Sequence, residues 1–214
     1  MFSLRSENLG WSSARVLEDV TLDIGAGERV ALLGASGSGK STLLGHLRNQ
    51  CPQDIAWCPQ DGALVPMLSV FHNIYMGQLH CRPWWQNLAN LVRPGAAALE
   101  QVGAIATRLG LSDKLRTSVD RLSGGQAQRV ALGRALFSPG QILLADEPLS
   151  SVDEHQARHL LDAILPAYDC SVVALHDRQL ALACSTRVIG LRDNRVVLDA
   201  ATDTLTLADL DRLY

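Results

Sequence analysis

The stretch RVALLGASGSGKSTLLGHLRN, Arg29–Asn49, decides the fold. Its first six residues form a short, continuous apolar run, which is typical of a strand buried on both faces. A glycine-rich segment follows, and KSTLLGHLRN is then typical of a helix. A strand, a glycine loop and a helix in this order predict a nucleotide site on a parallel α/β sheet.

The glycine-rich segment GASGSGKS, Gly34–Ser41, completes the pattern G-x-x-x-x-G-K-[ST]. Glycine has no Cβ, so the backbone N–H groups can approach phosphate oxygens. Lys40 is expected to reach the β- and γ-phosphates, and the Ser41 hydroxyl to bind Mg²⁺. We therefore predict a phosphate loop that contacts ATP through Gly34, Ala35, Ser36, Gly37, Ser38, Gly39, Lys40, Ser41 and Thr42.

Two further apolar runs end in polar side chains. QILLAD, Gln141–Asp146, is typical of a buried strand, and Glu147 follows it directly. Two adjacent carboxylates repel each other unless a cation is near. Asp146 suits the coordination shell of Mg²⁺, and Glu147 suits the general base that activates water. The run SVVALH, Ser171–His176, predicts another strand, whose His176 is a candidate donor to a transferred phosphoryl group.

Composition limits the remaining possibilities. The 214 residues fit one domain, and the net charge of −3 provides no global basic field for nucleic acid. Five cysteines without zinc spacing predict reduced thiols in a cytosolic protein. We find neither a signal-peptide pattern nor an apolar run of about 18 residues. A role at a membrane would therefore depend on a partner.

The spacing of apolar residues changes in the middle of the chain. From Ser69 to about Leu115 the spacing is mostly helical, and the helix that follows LSGGQ is expected to stop at Ser138–Gly140. We expect one domain at 1–214, with a core at 1–64 and 138–214 and a helical subdomain at 65–137. Further expectations are a helix from Asp153 to Tyr168, a hairpin over 187–200 turning at Asp193-Asn194, and a terminal helix over 207–214.

Taken together, these motifs resemble the nucleotide-binding subunits of ATP-binding-cassette (ABC) transporters over nearly the whole chain. The resemblance includes the phosphate loop, a Q-loop glutamine at Gln60, the signature segment LSGGQ (Leu122–Gln126), the strand ILLADEP (Ile142–Pro148), the D-loop SSVD (Ser150–Asp153) and a switch histidine at His176. It implies an α/β P-loop NTPase fold with a mainly parallel central sheet, an inserted helical subdomain that carries the signature, and an antiparallel β subdomain. Because Lys40 and Gln60 are only 20 residues apart, we expect the antiparallel subdomain to be trimmed.

The resemblance also implies how the site works. In this family two subunits pack head to tail, and the signature of each closes on the ATP of the other. Ser123, Gly124, Gly125 and Gln126 would thus serve the ATP of a partner subunit. Trp11 would stack on adenine, Gln60 would sense Mg²⁺ and water, and Asp153 would couple the two sites. The implied activity is ATP hydrolysis that depends on Mg²⁺, with Lys40, Gln60, Glu147 and His176 as the catalytic residues.

The same resemblance implies partners and a location. We expect a homodimer or pseudo-dimer on the cytoplasmic face of the inner membrane, without nucleic acid. It would bind permease subunits directly and a solute-binding protein indirectly. From the residues, we hypothesise that the permease docks around Gln60 and the segment Val65–Met76, because the loop VPMLSVFHN is typical of an exposed segment. The stretch NIYMGQLHCRPWWQNLANLV, Asn73–Val92, looks like that of phosphonate-type import ATPases. Three alternatives stay open: a soluble ABC ATPase acting on nucleic acid or ribosomes, a P-loop kinase, and a module that holds ATP without turnover.

Overall fold

The computed structural model describes residues 2–11 and 14–214, without the side chains of residues 11 and 14. In chain order the strands are β1 (Phe2–Trp11), β2 (Ala14–Ile24), β3 (Arg29–Leu33), β4 (Ile55–Cys58), β5 (Ile142–Asp146), β6 (Cys170–Ala174), β7 (Arg187–Arg192) and β8 (Arg195–Ala201). The helices are α1 (Lys40–Gln50), α2 (Val70–Tyr75), α3 (Trp84–Val92), α4 (Ala96–Arg108), α5 (Gly124–Phe137), α6 (Glu154–Ile164), α7 (Arg178–Cys184) and α8 (Leu207–Asp211).

The central sheet has six strands in the order β4-β5-β6-β3-β7-β8. All neighbours pair in parallel except β7 and β8, which form an antiparallel hairpin. Its turn residues Asp193 and Asn194 both have positive φ angles, 49° and 62°, as a tight two-residue turn requires. The predicted P-loop NTPase fold and the predicted hairpin are therefore confirmed.

The antiparallel subdomain is as short as expected. β1 and β2 form a separate two-stranded sheet, and between Lys40 and Gln60 the chain holds the single strand β4. The sequence analysis did not assign β1. Its apolar alternation is interrupted because Ser6 takes a φ of 52° and the register with β2 shifts there.

Several predicted boundaries were wrong by a few residues. The strand that precedes His176 ends at Ala174, although the N–H of Leu175 still donates to the carbonyl oxygen of Leu32 in β3, and α7 begins at Arg178. The helix after the D-loop ends at Ile164, where Leu165-Pro166 begins a 3₁₀ turn. The terminal helix ends at Asp211.

Buried residues on the two faces of the sheet form two separate core clusters. Side chains alternate along a strand, so Val172 and Val173 enter different clusters. The cluster that contains Val173 includes residues of α2, α4, α5, α6 and α7. The cluster of Val172 includes α1 and the β1–β2 sheet. Helices and the β1–β2 sheet thus cover the two faces, and the central strands β5 and β6 are buried along their whole length.

This topology brings the polar residues together. β5, β6 and β3 are neighbours and run parallel, so their carboxyl ends lie at one edge of the sheet. The phosphate loop follows β3, Glu147 follows β5, and His176 follows β6 by two residues. Ligand sites of open α/β sheets form at this edge.

A matched pair of glycine substitutions tests the packing of the helical part. A Cβ on Gly77 would lie 2.3 Å from the carbonyl oxygen of Arg134 in α5, and that backbone atom cannot rotate away. Gly77→Ala should therefore lower the free energy of unfolding by about 1–3 kcal/mol, measured by urea denaturation. The control Gly103→Ala, in α4 with nothing within 4 Å, should raise it by about 0.8–1.0 kcal/mol. Equal effects of the two variants would contradict this packing.

Candidate nucleotide site

The phosphate loop adopts a conformation that glycine makes possible. Gly34, Gly37 and Gly39 have φ angles of 148°, 81° and 103°. A Cβ on Gly34 would lie 2.4 Å from the carbonyl oxygen of Leu191, and one on Gly39 would lie 2.7 Å from Leu17. Gly39 is also the N-cap of α1, so no side-chain oxygen competes there for the first N–H groups of the helix. The loop therefore presents backbone donors suited to phosphate.

Lys40 is buried and folded back on this loop. Its Nζ donates to the carbonyl oxygens of Gly34 at 2.8 Å and of Ala35 at 3.2 Å. The same nitrogen lies 3.8 Å from Oε1 of Glu147. Burial lowers the pKa of Lys40, while the Glu147 and Asp146 carboxylates act in the opposite direction. A triphosphate would offer this ammonium stronger acceptors than the loop carbonyls.

The Glu147 carboxylate joins three of the predicted catalytic residues. Nε2 of His176 lies 2.5 Å from its Oε1, and Nε2 of Gln60 donates to its Oε2 at 3.2 Å. With Lys40, these contacts link segments that follow β3, β4, β5 and β6. Glu147 has a φ of 50°, which is costly for a residue with a side chain and is found mainly at functional sites.

Asp146 lies beside this cluster and is almost completely buried, with 3% of its surface exposed. Burial raises the pKa of Asp146, and its hydrogen bond with the Ser41 hydroxyl opposes that shift. Its Oδ1 has no hydrogen-bond partner among the described residues. A buried carboxylate oxygen without a partner, next to a hydroxyl, fits a hard cation such as Mg²⁺.

The phosphate loop, Gln60 and Glu147 border an open cleft of about 260 Å³. Its lining comprises Val16, Ser36, Gly37, Gly39, Lys40, Ser41, Thr42, Gln60 and Glu147. Most of the predicted phosphate-loop residues therefore share one cavity with the two candidate water-positioning groups, Gln60 and Glu147. In the part of the chain that the structure describes, no lining residue of this cleft comes from the signature segment.

The signature segment instead packs against the D-loop of its own chain. Ser123 is the N-cap of α5 and forms a reciprocal capping box with Gln126. A Cβ on Gly125 would lie 2.8 Å from the carbonyl oxygen of Ser151. The first turn of α5 is thus rigid and begins with N–H groups close to the protein surface.

Comparisons with known proteins identify the family. The family model described as ABC transporter matches residues 17–54 and 46–150. This chain belongs to the ABC transporter family. The match includes the phosphate loop, Gln60, the signature segment and the acidic pair.

Curated relatives of this ABC protein are named as phosphonate import ATP-binding proteins. "Phosphonates import ATP-binding protein PhnC" of Paraburkholderia xenovorans is 34% identical over 94% of this chain and 77% of its own length. "Phosphonates import ATP-binding protein PhnC 2" of Pseudomonas aeruginosa is 36% identical over 94% and 85%. "Phosphonates import ATP-binding protein PhnC" of Anaeromyxobacter dehalogenans is 35% identical over 99% of this chain, and this chain spans only 48% of that protein.

Solved structures agree on the fold. The dimeric bacterial ABC transporter cassette MJ0796 superimposes with a TM-score of 0.78 at 23% identity, covering 94% of this chain and 99% of its own. A bacterial Atm1-family ABC exporter with ATP bound gives a TM-score of 0.78 at 22% identity, covering 99% and 40%. These structures show the fold of an ABC ATPase. The family match and the curated relatives show that this chain is the ATP-binding subunit of an ABC transporter, and the nucleic-acid alternative is not favoured. No helix in residues 2–11 and 14–214 is long and apolar enough to cross a bilayer.

Two predicted residues of the ABC site remain to be placed. The Asp153 side chain caps α6, where its Oδ1 accepts from the backbone N–H of Gln156 at 3.0 Å. The side chain of Trp11 lies outside the described residues, so its stacking on adenine stays a prediction.

Sequence reasoning missed two side chains that support the site. Gln128 bridges the signature helix and the D-loop: its Nε2 donates to Ser150 Oγ at 2.6 Å, and its Oε1 accepts from the N–H of Ser151 at 2.8 Å. The Tyr214 hydroxyl donates to the carbonyl oxygen of His176 at 3.4 Å. Neither residue lies in a motif, and Tyr214 is 38 positions from its partner, so no sequence signal pointed to these contacts.

The buried Asp146 should cost stability when nucleotide is absent. Burial raises the pKa of Asp146, so this group stabilises the folded protein only while its carboxyl is protonated. That stabilisation is complete below the ordinary aspartate pKa and is lost as pH rises through the raised pKa. Asp146→Asn should therefore raise the melting temperature of the nucleotide-free protein at neutral pH by about 2–4 °C, the shift of about 1 kcal/mol. The exposed control Asp169→Asn should change it little. A less stable Asp146→Asn protein would contradict this account.

Proposed function

We propose that this chain hydrolyses ATP with Glu147 as the general base and that it energises import of a phosphonate-like solute. The observation that carries the first part is the contact of Glu147 with His176, Gln60 and Lys40 in one cluster. These four groups match the needs of phosphoryl transfer to water: a base, a water-positioning amide, a hydrogen-bond donor and a fixed cation.

Each group would have a distinct task during hydrolysis. Glu147, at the end of β5, takes a proton from the attacking water, and Gln60 helps to orient that water. His176 donates a hydrogen bond to the γ-phosphate, which makes the phosphoryl group easier to transfer. Lys40 leaves the loop carbonyls for the β- and γ-phosphates.

The predicted metal ligands are Ser41, Asp146 and Gln60. The orphaned Oδ1 of Asp146 and its hydrogen bond with Ser41 support this assignment. When bound, Mg²⁺ neutralises charge on the β- and γ-phosphate oxygens. It would also relieve the repulsion between Asp146 and Glu147, which are adjacent in the chain.

We further propose that the complete site needs a second copy of the chain. The cleft of one chain holds the phosphate loop, while Ser123, Gly124 and Gly125 lie outside it. In a head-to-tail homodimer these residues would close on the γ-phosphate of the partner's ATP. The dimeric form of the similar cassette MJ0796 supports this arrangement. ATP would then favour the closed dimer, and its hydrolysis would release it.

Import is supported by the names of the curated relatives, which are phosphonate import proteins. The chain would act on the cytoplasmic face of the membrane, bound to permease subunits. A solute-binding protein would deliver the solute to those subunits. The proposed docking segment, Val65–Met76, exposes Met67 by 80% and borders an apolar groove of about 440 Å³. We propose that residues 65–137 form the subdomain that couples this groove to the core at 1–64 and 138–214.

The role of Glu147 can be tested by hydrolysis. Glu147→Gln keeps the shape of the side chain but removes the base, so the rate of phosphate release should fall by about 10²–10⁴-fold. The control Glu154→Gln alters the next glutamate along the chain, which is exposed, and should leave the rate unchanged. A Glu147→Gln protein with the normal rate would show that another group is the base.

The docking segment can be tested by adding charge. Met67→Glu, within the stretch Pro66–Ser69, should reduce recovery of the tagged chain with membranes of its native host, because a charge would enter the apolar contact. ATP hydrolysis by the isolated chain should not change. The control Val197→Glu places the same charge on β8, where 53% of the side chain is exposed. Equal recovery of both variants would place the docking site elsewhere.

A further inference from the structure

Two histidines face each other on the surface of α6. His155 and His159 are one helical turn apart, and their Nε2 atoms lie 3.1 Å from each other. Their ring centroids are 4.5 Å apart and the rings are nearly perpendicular, at 88°. Both residues are exposed, whereas Ala157, Leu160 and Leu161 on the opposite side of the helix are buried in the core. The helix therefore fixes two imidazoles side by side in solvent.

The spacing of the two nitrogens matches the bite of a chelated metal ion. Zinc–imidazole bonds are about 2.0–2.1 Å long, so two such nitrogens at an angle between about 90° and 109° lie roughly 2.8–3.4 Å apart. The observed 3.1 Å corresponds to an angle of about 95°. The two nitrogens are within hydrogen-bond distance of each other, so an ion would take the place of the proton between them.

We propose that His155 and His159 form a bidentate surface site for a divalent transition-metal ion of the zinc, nickel and copper class. Imidazole suits these ions, whereas Mg²⁺ prefers oxygen ligands. The site is thus chemically distinct from the oxygen ligands at Asp146 and Ser41. Because both histidines are exposed, water completes the coordination of the ion.

The charged neighbours on α6 permit a bound cation. Glu154 adds a negative charge in the first turn. Arg158 lies between the histidines in sequence, and its Nε is 3.8 Å from Oδ2 of Asp162. That ion pair offsets much of the repulsion that the guanidinium would exert on the ion.

The other histidines serve as internal contrasts. Nε2 of His46 lies 3.2 Å from Glu7, Nδ1 of His72 lies 2.7 Å from Ser69 Oγ, and Nε2 of His176 contacts Glu147. His80 is exposed in the 3₁₀ turn between α2 and α3. Among the described residues, only His155 and His159 bring two imidazoles together.

An ion bound to both His155 and His159 would link the first two turns of α6. This helix starts at the cap formed by Asp153, the last residue of the D-loop. A ligand that binds only the folded helix stabilises it, and the stabilisation grows with the logarithm of the ligand concentration above the Kd. The ion would therefore hold the D-loop end of α6 in its helical form.

Calorimetric titration with Ni²⁺ tests the site, using the full chain stripped by chelation and kept in excess Mg²⁺. The wild type should bind one equivalent in the micromolar range. His155→Ala and His159→Ala should each weaken binding at least about tenfold, because the chelate becomes a single ligand. The control His80→Ala should retain the wild-type affinity. Ni²⁺ should also raise the melting temperature of the wild type and of His80→Ala, but not of the two site variants.

Several results would overturn the proposal. They are absence of micromolar binding by the wild type, unchanged affinity in both site variants, and loss of binding in His80→Ala alone. His159→Gln provides a second variant that keeps a polar side chain of similar length. Its melting temperature without metal shows whether a loss of binding reflects the missing ligand or a damaged helix.

Discussion

The carboxylate of Glu147 is the contact on which the nucleotide site depends. It accepts a hydrogen bond from Gln60, contacts His176 and lies 3.8 Å from Nζ of Lys40. One side chain therefore joins four loops that follow four parallel strands. Parallel strands make this possible because their carboxyl ends meet at one edge of the sheet. The positive φ of Glu147 and the buried Asp146 beside it are both unfavourable alone. A cation and a triphosphate would turn these unfavourable features into binding groups.

The same geometry supports the proposal that one chain holds only part of the nucleotide site. The signature segment is held rigid by its capping box and by Gln128, which ties α5 to the D-loop through Ser150 and Ser151. These contacts turn the segment towards its own D-loop and not towards the cleft at Lys40. In the account proposed here, ATP lies between two chains, and the bond network around Gln128 connects each signature to the neighbouring D-loop. Movement at one nucleotide would then reach the other through packed, directly bonded elements.

Local features of the site could be predicted from the sequence, and long-range ones could not. The phosphate loop and the Asp193-Asn194 hairpin were predicted because glycine placement and turn chemistry act over a few residues. β1 was not assigned, since its pairing depends on the irregular register with β2. The support from Tyr214 is visible only after the chain has folded, whereas the i, i+4 spacing of His155 and His159 on the predicted helix already places them on one face. Glu147 was predicted as the base, but its contact with Gln60 spans 87 positions and required the structure.

The central claim is that ATP is shared between two copies of the chain, and sedimentation of the Glu147→Gln protein tests it most directly. This variant should hold ATP without turnover, so the account predicts dimers with ATP and monomers with ADP. A further Ser123→Arg substitution should abolish the dimer while leaving the phosphate loop intact. A protein that stays monomeric when saturated with ATP, even at high concentration and with its permease present, would contradict the account.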